Sequence, residues 1–438
     1  MKYVFTVFAM IFAVFLYTSS SLNKTAIAFD GKTYKDAFEQ LDLFADVLAR
    51  VNNDYVVDIN NTELISEAIN GMLLSLDPHS SYISPKEYKN LLISTSGEYS
   101  GLGMEVTLDE GFVKVISPID DTPAKKAGIK PGDFIIEIND ESIFGLSLSE
   151  AVDLMRGKPG ELVNITIARN NDERIQFNLK REIIKRKIVT YSIKEGIGYI
   201  RISQFNENAY QELSKAISSL EKEMFGSVPG LILDLRGNPG GLLDQSIKIS
   251  SAFLDGGKVV STKGRKESDN RNYNADKGEL LKEVPIIILI DEGSASASEI
   301  VAGAIQDRKR GLIVGMKSFG KGSVQSIIPL KGGAEGAIKL TTQRYYTPSG
   351  KSIQGKGITP NILIGYFPED LKKKERKKEA DLPNTLPIET GEHQAESEEI
   401  MPIDYPPNGF KIDSDYQLKR SVEILKSETY ADKLDSST

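Results

Sequence analysis

The sequence predicts an α/β core carrying an inserted α+β module, with a helical segment ahead of both. Three observations give this. From residue 184 to about 366, short apolar runs alternate with amphipathic runs of helical period, the pattern of a sheet covered by helices. Residues 97–183 instead hold brief β-rich pieces separated by turns and two short helical stretches. Residues 33–74 place Phe38, Leu41, Phe44, Val47 and Leu48 at helical spacing.

Taken in order, the chain opens with Lys2 and an apolar run from Tyr3 to Tyr17, followed by Ser19, Ser20, Ser21 and Ala26-Ile27-Ala28. That order predicts an export signal, residues 1–28, cleaved after Ala28. The apolar run falls short of the roughly 20 residues a bilayer span needs; retention as an anchor is the alternative. A helical region covers 29–96, interrupted over 54–61 and stopped by Asp77-Pro78. The module of 97–183 has strands at 103–106, 113–116, 134–138, 163–168 and 175–179, helices at 124–127 and 149–155, and a turn at 128–133. The core, 184–370, has strands at 197–202, 231–235, 285–290, 312–314 and 323–329, with helices at 209–225 and 298–308. The charged run beginning at Lys372 opens a linker, and residues 416–425 suit a last docking helix within the 371–438 tail.

Composition narrows the chemistry. The 438 residues carry a formal charge of −8, which argues against nucleic acid as a partner. There is no cysteine, so disulfides, thiolate metal sites and thiol nucleophiles are all excluded. The two histidines, His79 and His393, make a histidine metal cluster improbable and limit any Ser-His-Asp arrangement to one of them.

Three stretches could carry chemistry. In the first, the apolar strand ending at Leu235 runs into Arg236-Gly237-Asn238-Pro239-Gly240-Gly241, where glycines free backbone N–H groups to face an anion; a plain tight turn is the alternative. In the second, Asp291-Glu292-Gly293-Ser294-Ala295-Ser296-Ala297-Ser298-Glu299 joins a buried strand to a helix. A serine there can be exposed at the positive end of the helix dipole, although Ser294, Ser296 or Ser298 could each be a simple N-cap. The third, Gly315 to Lys321, nearly spells a phosphate-binding loop. Gly322 stands where a hydroxyl should hold magnesium, and a strand follows where a helix is required. With cysteine absent and histidine scarce, a serine nucleophile would turn to a lysine base. Lys321 lies between two glycines. Its pKa would have to fall by roughly 3 units, about 4 kcal/mol, which burial can supply. Gln325 is four residues on, on the same strand face if Lys321 is already in the strand.

Together, Asp77-Pro78-His79-Ser80-Ser81-Tyr82, Leu233-Asp234-Leu235-Arg236, Gly240-Gly241, the serine-rich segment from Ser294 and Phe319-Gly320-Lys321-Gly322 resemble the bacterial carboxy-terminal processing (tail-specific) protease family over roughly residues 65–365. The resemblance implies a crotonase-like ββα-type serine protease core. It makes Ser296 the nucleophile and Lys321, 25 residues on, the base. It gives Gln325 the role of orienting the lysine. The N–H of Ala297 and one from Gly240 or Gly241 would form the oxyanion hole. Residues 97–183 resemble a PDZ domain whose peptide-binding loop and strand would be Leu102, Gly103, Met104, Glu105 and Val106. Arg156 matches a regulatory arginine of the family, a helix-terminal charge being the plain alternative. The resemblance therefore implies an endopeptidase that binds protein C-terminal tails and cleaves through an acyl-enzyme, with no cofactor or metal; the export signal predicts the periplasm or cell envelope as its location. A second copy is expected as partner through the N-terminal helices. Membrane association is expected if the N-terminal segment is kept, and an adaptor protein stays open as a further partner.

Overall fold

A computed structural model describes residues 31–109, 111–169, 173–185, 187–366, 377–389, 402–407, 409–411 and 414–435. The predicted export signal and most of the charged run from Lys372 lie outside these. The chain forms two compact units, one up to Ala68 and one from Ile69 onward.

The first unit holds α1 (Gly31–Asp54) and most of α2 (Asn61–Leu74). Phe38, Leu41, Phe44 and Val47 of α1 are exposed, so its apolar stripe has no cover within this unit. Asn60 starts α2, its side-chain oxygen accepting from Thr62 N at 3.0 Å.

The second unit begins with β1 (Ser81–Ile83) and α3 (Pro85–Ser96). α3 falls inside the 29–96 helical region that the sequence predicts, without a separate helix marked there. Ser84-Pro85-Lys86-Glu87 is nonetheless a capping box with proline at the first helical turn.

The insert hangs on a stem made by β2 (Glu98–Gly101) and, at its far end, β9 (Glu182–Lys185), which pair antiparallel. Between them lie β3 (Met104–Asp109), β4 (Phe112–Pro118), α4 (Pro123–Ala127), β5 (Phe134–Ile138), β6 (Glu141–Ser142), α5 (Leu148–Met155), β7 (Leu162–Arg169) and β8 (Glu173–Lys180). The sheet order is β3-β4-β5-β7-β8, with β6 on β5. Val113, Val115, Ile135, Ile165 and Ile167 fill its core against Ala151 and Met155 of α5. β3 is an edge strand.

The core is built on β10 (Val189–Lys194), β11 (Ile197–Ile202), β12 (Leu231–Asp234), β15 (Ile286–Ile290), β16 (Leu312–Gly315) and β19 (Ile362–Leu363), in that spatial order. All pairs are parallel except β10–β11. Parallel strands covered on both faces read as unbroken apolar runs, and β12, β15 and β16 are buried throughout. Alternation assigns the faces. Ile286, Ile288 and Ile290 pack with α6 (Ala209–Glu223), α7 (Leu243–Ser251) and α8 (Ala297–Asp307); Ile287 and Leu289 pack with α9 (Tyr416–Leu425). A second sheet runs β1-β18-β13-β14, with β13 (Lys258–Gly264), β14 (Arg271–Asn274), β18 (Ala337–Tyr346) and β17 (Ser323–Pro329) on the far side of β18. The tail helix α9 is fixed through Arg236, which pairs with Asp234 and Asp415, each at 2.6 Å. Asp307, at the end of α8, accepts from Ser349 N at 2.8 Å, a structural contact.

Candidate active site

The junction of β15 and α8 sorts the three serines by what their hydroxyls do. Ser294 Oγ donates to Leu235 O at 2.8 Å and accepts from Asp291 N at 2.9 Å. Ser298 Oγ donates to Asn238 O at 2.9 Å. Both therefore pin the turn to the glycine-rich loop after β12. Asp291 adds to this by accepting from Gly237 N and Gly293 N. Ser296 is the helix N-cap residue, yet its side chain makes no cap hydrogen bond. Its φ is +54°, a conformation that costs a non-glycine residue about 1–3 kcal/mol and collects at functional sites. Burial pushes the Tyr345 phenol up to about 12, with nearby Ser296 acting in the opposite direction.

The glycine-rich loop passes directly beneath. A Cβ on Gly240 would stand 2.7 Å from Ala295 O, 2.9 Å from Ala297 N and 3.0 Å from Ser296 Cβ, and its φ is +101°. Glycine is thus required both by close approach and by backbone conformation. Gly240 N donates to Asn238 Oδ1 at 2.9 Å and is spent. The N–H groups of Gly241 and Ala297 make no hydrogen bond among the described residues. Of the two glycines the sequence left open, Gly241 is the one whose N–H is free, beside the first amide of α8.

Lys321 sits on the loop between β16 and β17. One carboxylate ties that loop to the serine turn. Glu299 Oε2 accepts from Ser296 N at 2.7 Å and from Lys321 N at 2.9 Å. Oε1 accepts from Gly320 N at 2.7 Å and from Ser318 Oγ at 2.6 Å. The backbones of the two key residues are therefore no farther apart than two hydrogen bonds to one oxygen. Glu299 is fully buried; burial pushes its carboxyl up to about 7, against these four donors. The sequence reading gave Glu299 no role, although Ser296-Ala297-Ser298-Glu299 carries the capping-box spacing.

Burial lowers the Lys321 ammonium to about 8, with Lys339 adding repulsion while Glu379, Glu299 and Asp77 oppose the shift. Among the described residues Lys321 Nζ makes neither a hydrogen bond nor an ion pair, with Ser296 or any other group. Gln325 lies in β17, which starts at Ser323, so Lys321 precedes the strand. Its amide donates to Ser323 Oγ at 2.9 Å and Thr341 Oγ1 at 3.1 Å.

The insert presents Leu102, Gly103, Met104, Glu105 and Val106 at the entry and first half of β3. Leu102 is buried. The carbonyls of Leu102 and Gly103 accept from Ala124 N and Ile119 N, both at 2.9 Å, which fixes the loop while leaving β3 at the sheet edge. Arg156 ends α5 and donates to Asn90 Oδ1 of α3 at 3.0 Å. A cleft of about 900 Å³ opens at this contact, lined by Tyr82, Leu91, Leu148, Val152, Arg156 and Lys339 among others.

These features have relatives. The profile described as "Peptidase family S41" matches residues 196–364, that of a "PDZ domain" residues 114–169, and that of an "Activating protease CtpB N-terminal domain" residues 5–87. A carboxy-terminal-processing protease of Bartonella bacilliformis is 49% identical over 355 residues, 81% of each chain. The carboxy-terminal processing protease CtpA of Bacillus subtilis is 37% identical over 315 residues, 72% of this chain and 66% of that one. Among solved structures, a photosystem II D1 C-terminal processing protease is 30% identical, with a TM-score of 0.43 over 72% of this chain and 85% of that one. By the identity and coverage of the Bartonella relative, this chain belongs to the S41 peptidase family, as a carboxy-terminal-processing serine protease carrying a PDZ domain.

Proposed function

We propose that the protein is an endopeptidase that captures protein C-terminal tails along β3 and cleaves them with Ser296 as nucleophile and Lys321 as general base. The observation that carries this reading is the single Glu299 oxygen that accepts from both Ser296 N and Lys321 N. It holds a strained serine and a buried lysine on facing loops.

The chemistry follows from the groups in place. Neutral Lys321 Nζ takes the proton from Ser296 Oγ as the oxygen attacks the scissile carbonyl carbon. The resulting oxyanion is stabilised by the free N–H groups of Gly241 and Ala297, at the N-terminus of α8. The tetrahedral intermediate collapses. The C–N bond breaks, the Lys321 ammonium returns its proton to the leaving amine, and an ester to Ser296 remains. Water then attacks the ester, again giving a proton to Lys321, and the acid product leaves as Ser296 recovers its hydrogen. No step needs a cofactor.

Capture uses the insert. An extended tail can add to the free edge of β3, with its carboxylate at the Leu102-Gly103 turn, in the manner of strand addition. Arg156 joins α5 of that module to α3 at Asn90 and so couples the insert to the protease body. Gln325 supports the lysine loop through Ser323 and Thr341. The sequence of the N-terminal segment supports export to the envelope. The exposed stripe of α1 supports pairing with a second copy; light scattering of the chain from Phe29 giving a monomer mass would remove that part.

Ser296→Ala is expected to abolish cleavage of a tail-bearing substrate while leaving the melting temperature and tail affinity unchanged. Undiminished turnover by that variant would defeat the assignment.

A further inference from the structure

The lysine loop is gripped from a second side by a part of the chain that lies beyond the matched protease region. Residues 377–389 return across it. Glu379 N donates to Phe319 O at 3.2 Å. The Glu379 side chain is fully buried. Its Oε1 accepts from Gln354 Nε2 at 2.9 Å, and the same Gln354 accepts from Gly322 N at 3.1 Å through Oε1. Both ends of the four-residue stretch 319–322 are thus bound, directly or through one side chain, to Glu379.

The other oxygen faces His79. Glu379 Oε2 meets His79 Nε2 at 2.8 Å, with side-chain exposures of 1% and 15%. His79 is itself fixed. Asp77 Oδ1 accepts from His79 N at 2.8 Å and from Thr341 Oγ1 at 3.0 Å. Burial disfavours the Glu379 anion, yet the hydrogen bonds from His79 and Gln354 hold its carboxyl below the ordinary value. Further contacts hold the strap down. Arg344 Nη1 donates to Pro387 O at 3.0 Å, and Tyr346 Oη donates to Glu389 at 2.8 Å.

We propose that Glu379, locked by His79, is a positioning residue for the general base: the 377–389 strap clamps residues 319–322 and so sets where Lys321 points. This rests on Lys321 being the base. A buried carboxylate held by both a histidine and a glutamine, on a residue whose own amide is bound to the lysine loop, is more than surface packing requires. An unpaired charge there would be costly, so the cluster is kept complete. It also explains the histidine that a lysine-based mechanism leaves without work.

The charged groups that face Lys321 are Lys339, Glu379, Glu299 and Asp77, with His79 behind Glu379. Glu379 is one of those that favour the ammonium. Its removal therefore has a signature that a packing role lacks.

The test uses the full chain, a tail-bearing protein substrate, thermal melting and kcat/KM measured across pH. Glu379→Ala is expected to lower kcat by about tenfold or more with KM within about twofold, since small misplacements of a catalytic group are expensive. Glu379→Gln keeps the shape and removes the charge; it should stay folded, with a lowered melting temperature, and move the acidic limb of the profile to lower pH. His79→Gln leaves the carboxylate in place, so kcat should fall without that downward movement. Wild-type kcat and an unmoved limb in folded Glu379→Gln, together with wild-type kcat in Glu379→Ala, would overturn the proposal. Lys321→Met is the control for the underlying reading: if it stays active, Lys321 is not the base, whatever the Glu379 variants do.

Discussion

The catalytic centre and the PDZ domain both present backbone amides at glycine turns, and they spend their hydrogen bonds in opposite ways. Around Ser296 nearly every polar side chain is committed to a neighbouring loop. Asn238 holds Gly240, Ser294 holds Leu235, Ser298 holds Asn238, and Glu299 holds three amides and a hydroxyl. Among the described residues the N–H groups of Gly241 and Ala297 stay without a partner. In the PDZ domain only the entry of the groove is tied, at Leu102 and Gly103, and a whole strand edge stays open. Bond making needs a few points fixed closely. Capture of varied tails needs a rail that accepts any backbone. The difference predicts that damage to the first region appears in kcat and damage to the second in KM.

Lys321→Met should give the largest effect, a loss of about a thousandfold or more in kcat. The same change should raise stability at pH 7. The folded-state pKa of about 8 lies below the ordinary 10.5, so the unfolded chain binds more protons between these values. Wild-type stability then increases as pH rises through that window; the variant should lack this slope in urea melts at pH 7 and 10. Wild-type kcat/KM should rise with pH through about 8. An acidic limb near 6 would point to another base.

Gly240→Ala comes next. Its methyl group would press on Ala295 O and Ala297 N, and loss of a placed oxyanion donor costs about a hundredfold in kcat. Tail affinity, read by fluorescence anisotropy, should not change. The smallest effect is expected from Gly103→Val, whose Cβ would stand 2.3 Å from Thr122 Cβ. KM for a tail-bearing protein should rise about tenfold, with kcat on a short internal peptide unaltered. A kcat defect from Gly103→Val, or a pure KM defect from Gly240→Ala, would break the contrast between the two regions.

Much of this was legible in the residues. The apolar runs at 285–290 and 312–314 read as strands of an α/β core, and Gly322 in place of a hydroxyl residue, with a strand following, removed the phosphate-loop reading. Local spacing also held two signals that went unread, the capping box at Ser84-Glu87 and the same spacing at Ser296-Glu299, where the glutamate caps the serine amide. Other features had no local trace. Nothing in a one-dimensional pattern says that Ser294 and Ser298 are consumed by backbone carbonyls some 60 residues away. Nor does it say that Asn238 uses up Gly240 and leaves Gly241. The even spacing of Lys321 and Gln325 implied one strand face, but β17 begins two residues after the lysine. His79 and Glu379 are 300 positions apart, and only the returning strap joins them.

The lysine's burial also sets an occupancy. With its pKa lowered to about 8, only a minority of molecules hold a neutral amine at pH 7 at any instant; the rest wait for a proton to leave. With Lys321 as the base we propose, a substrate that seals the cleft and strips water from Nζ would disfavour the ammonium further and enlarge the competent fraction it meets. Arrival of the peptide would then recruit enzyme as well as supply a bond to cut, and an alkaline drift in the surroundings would act as a throttle opened without any moving part.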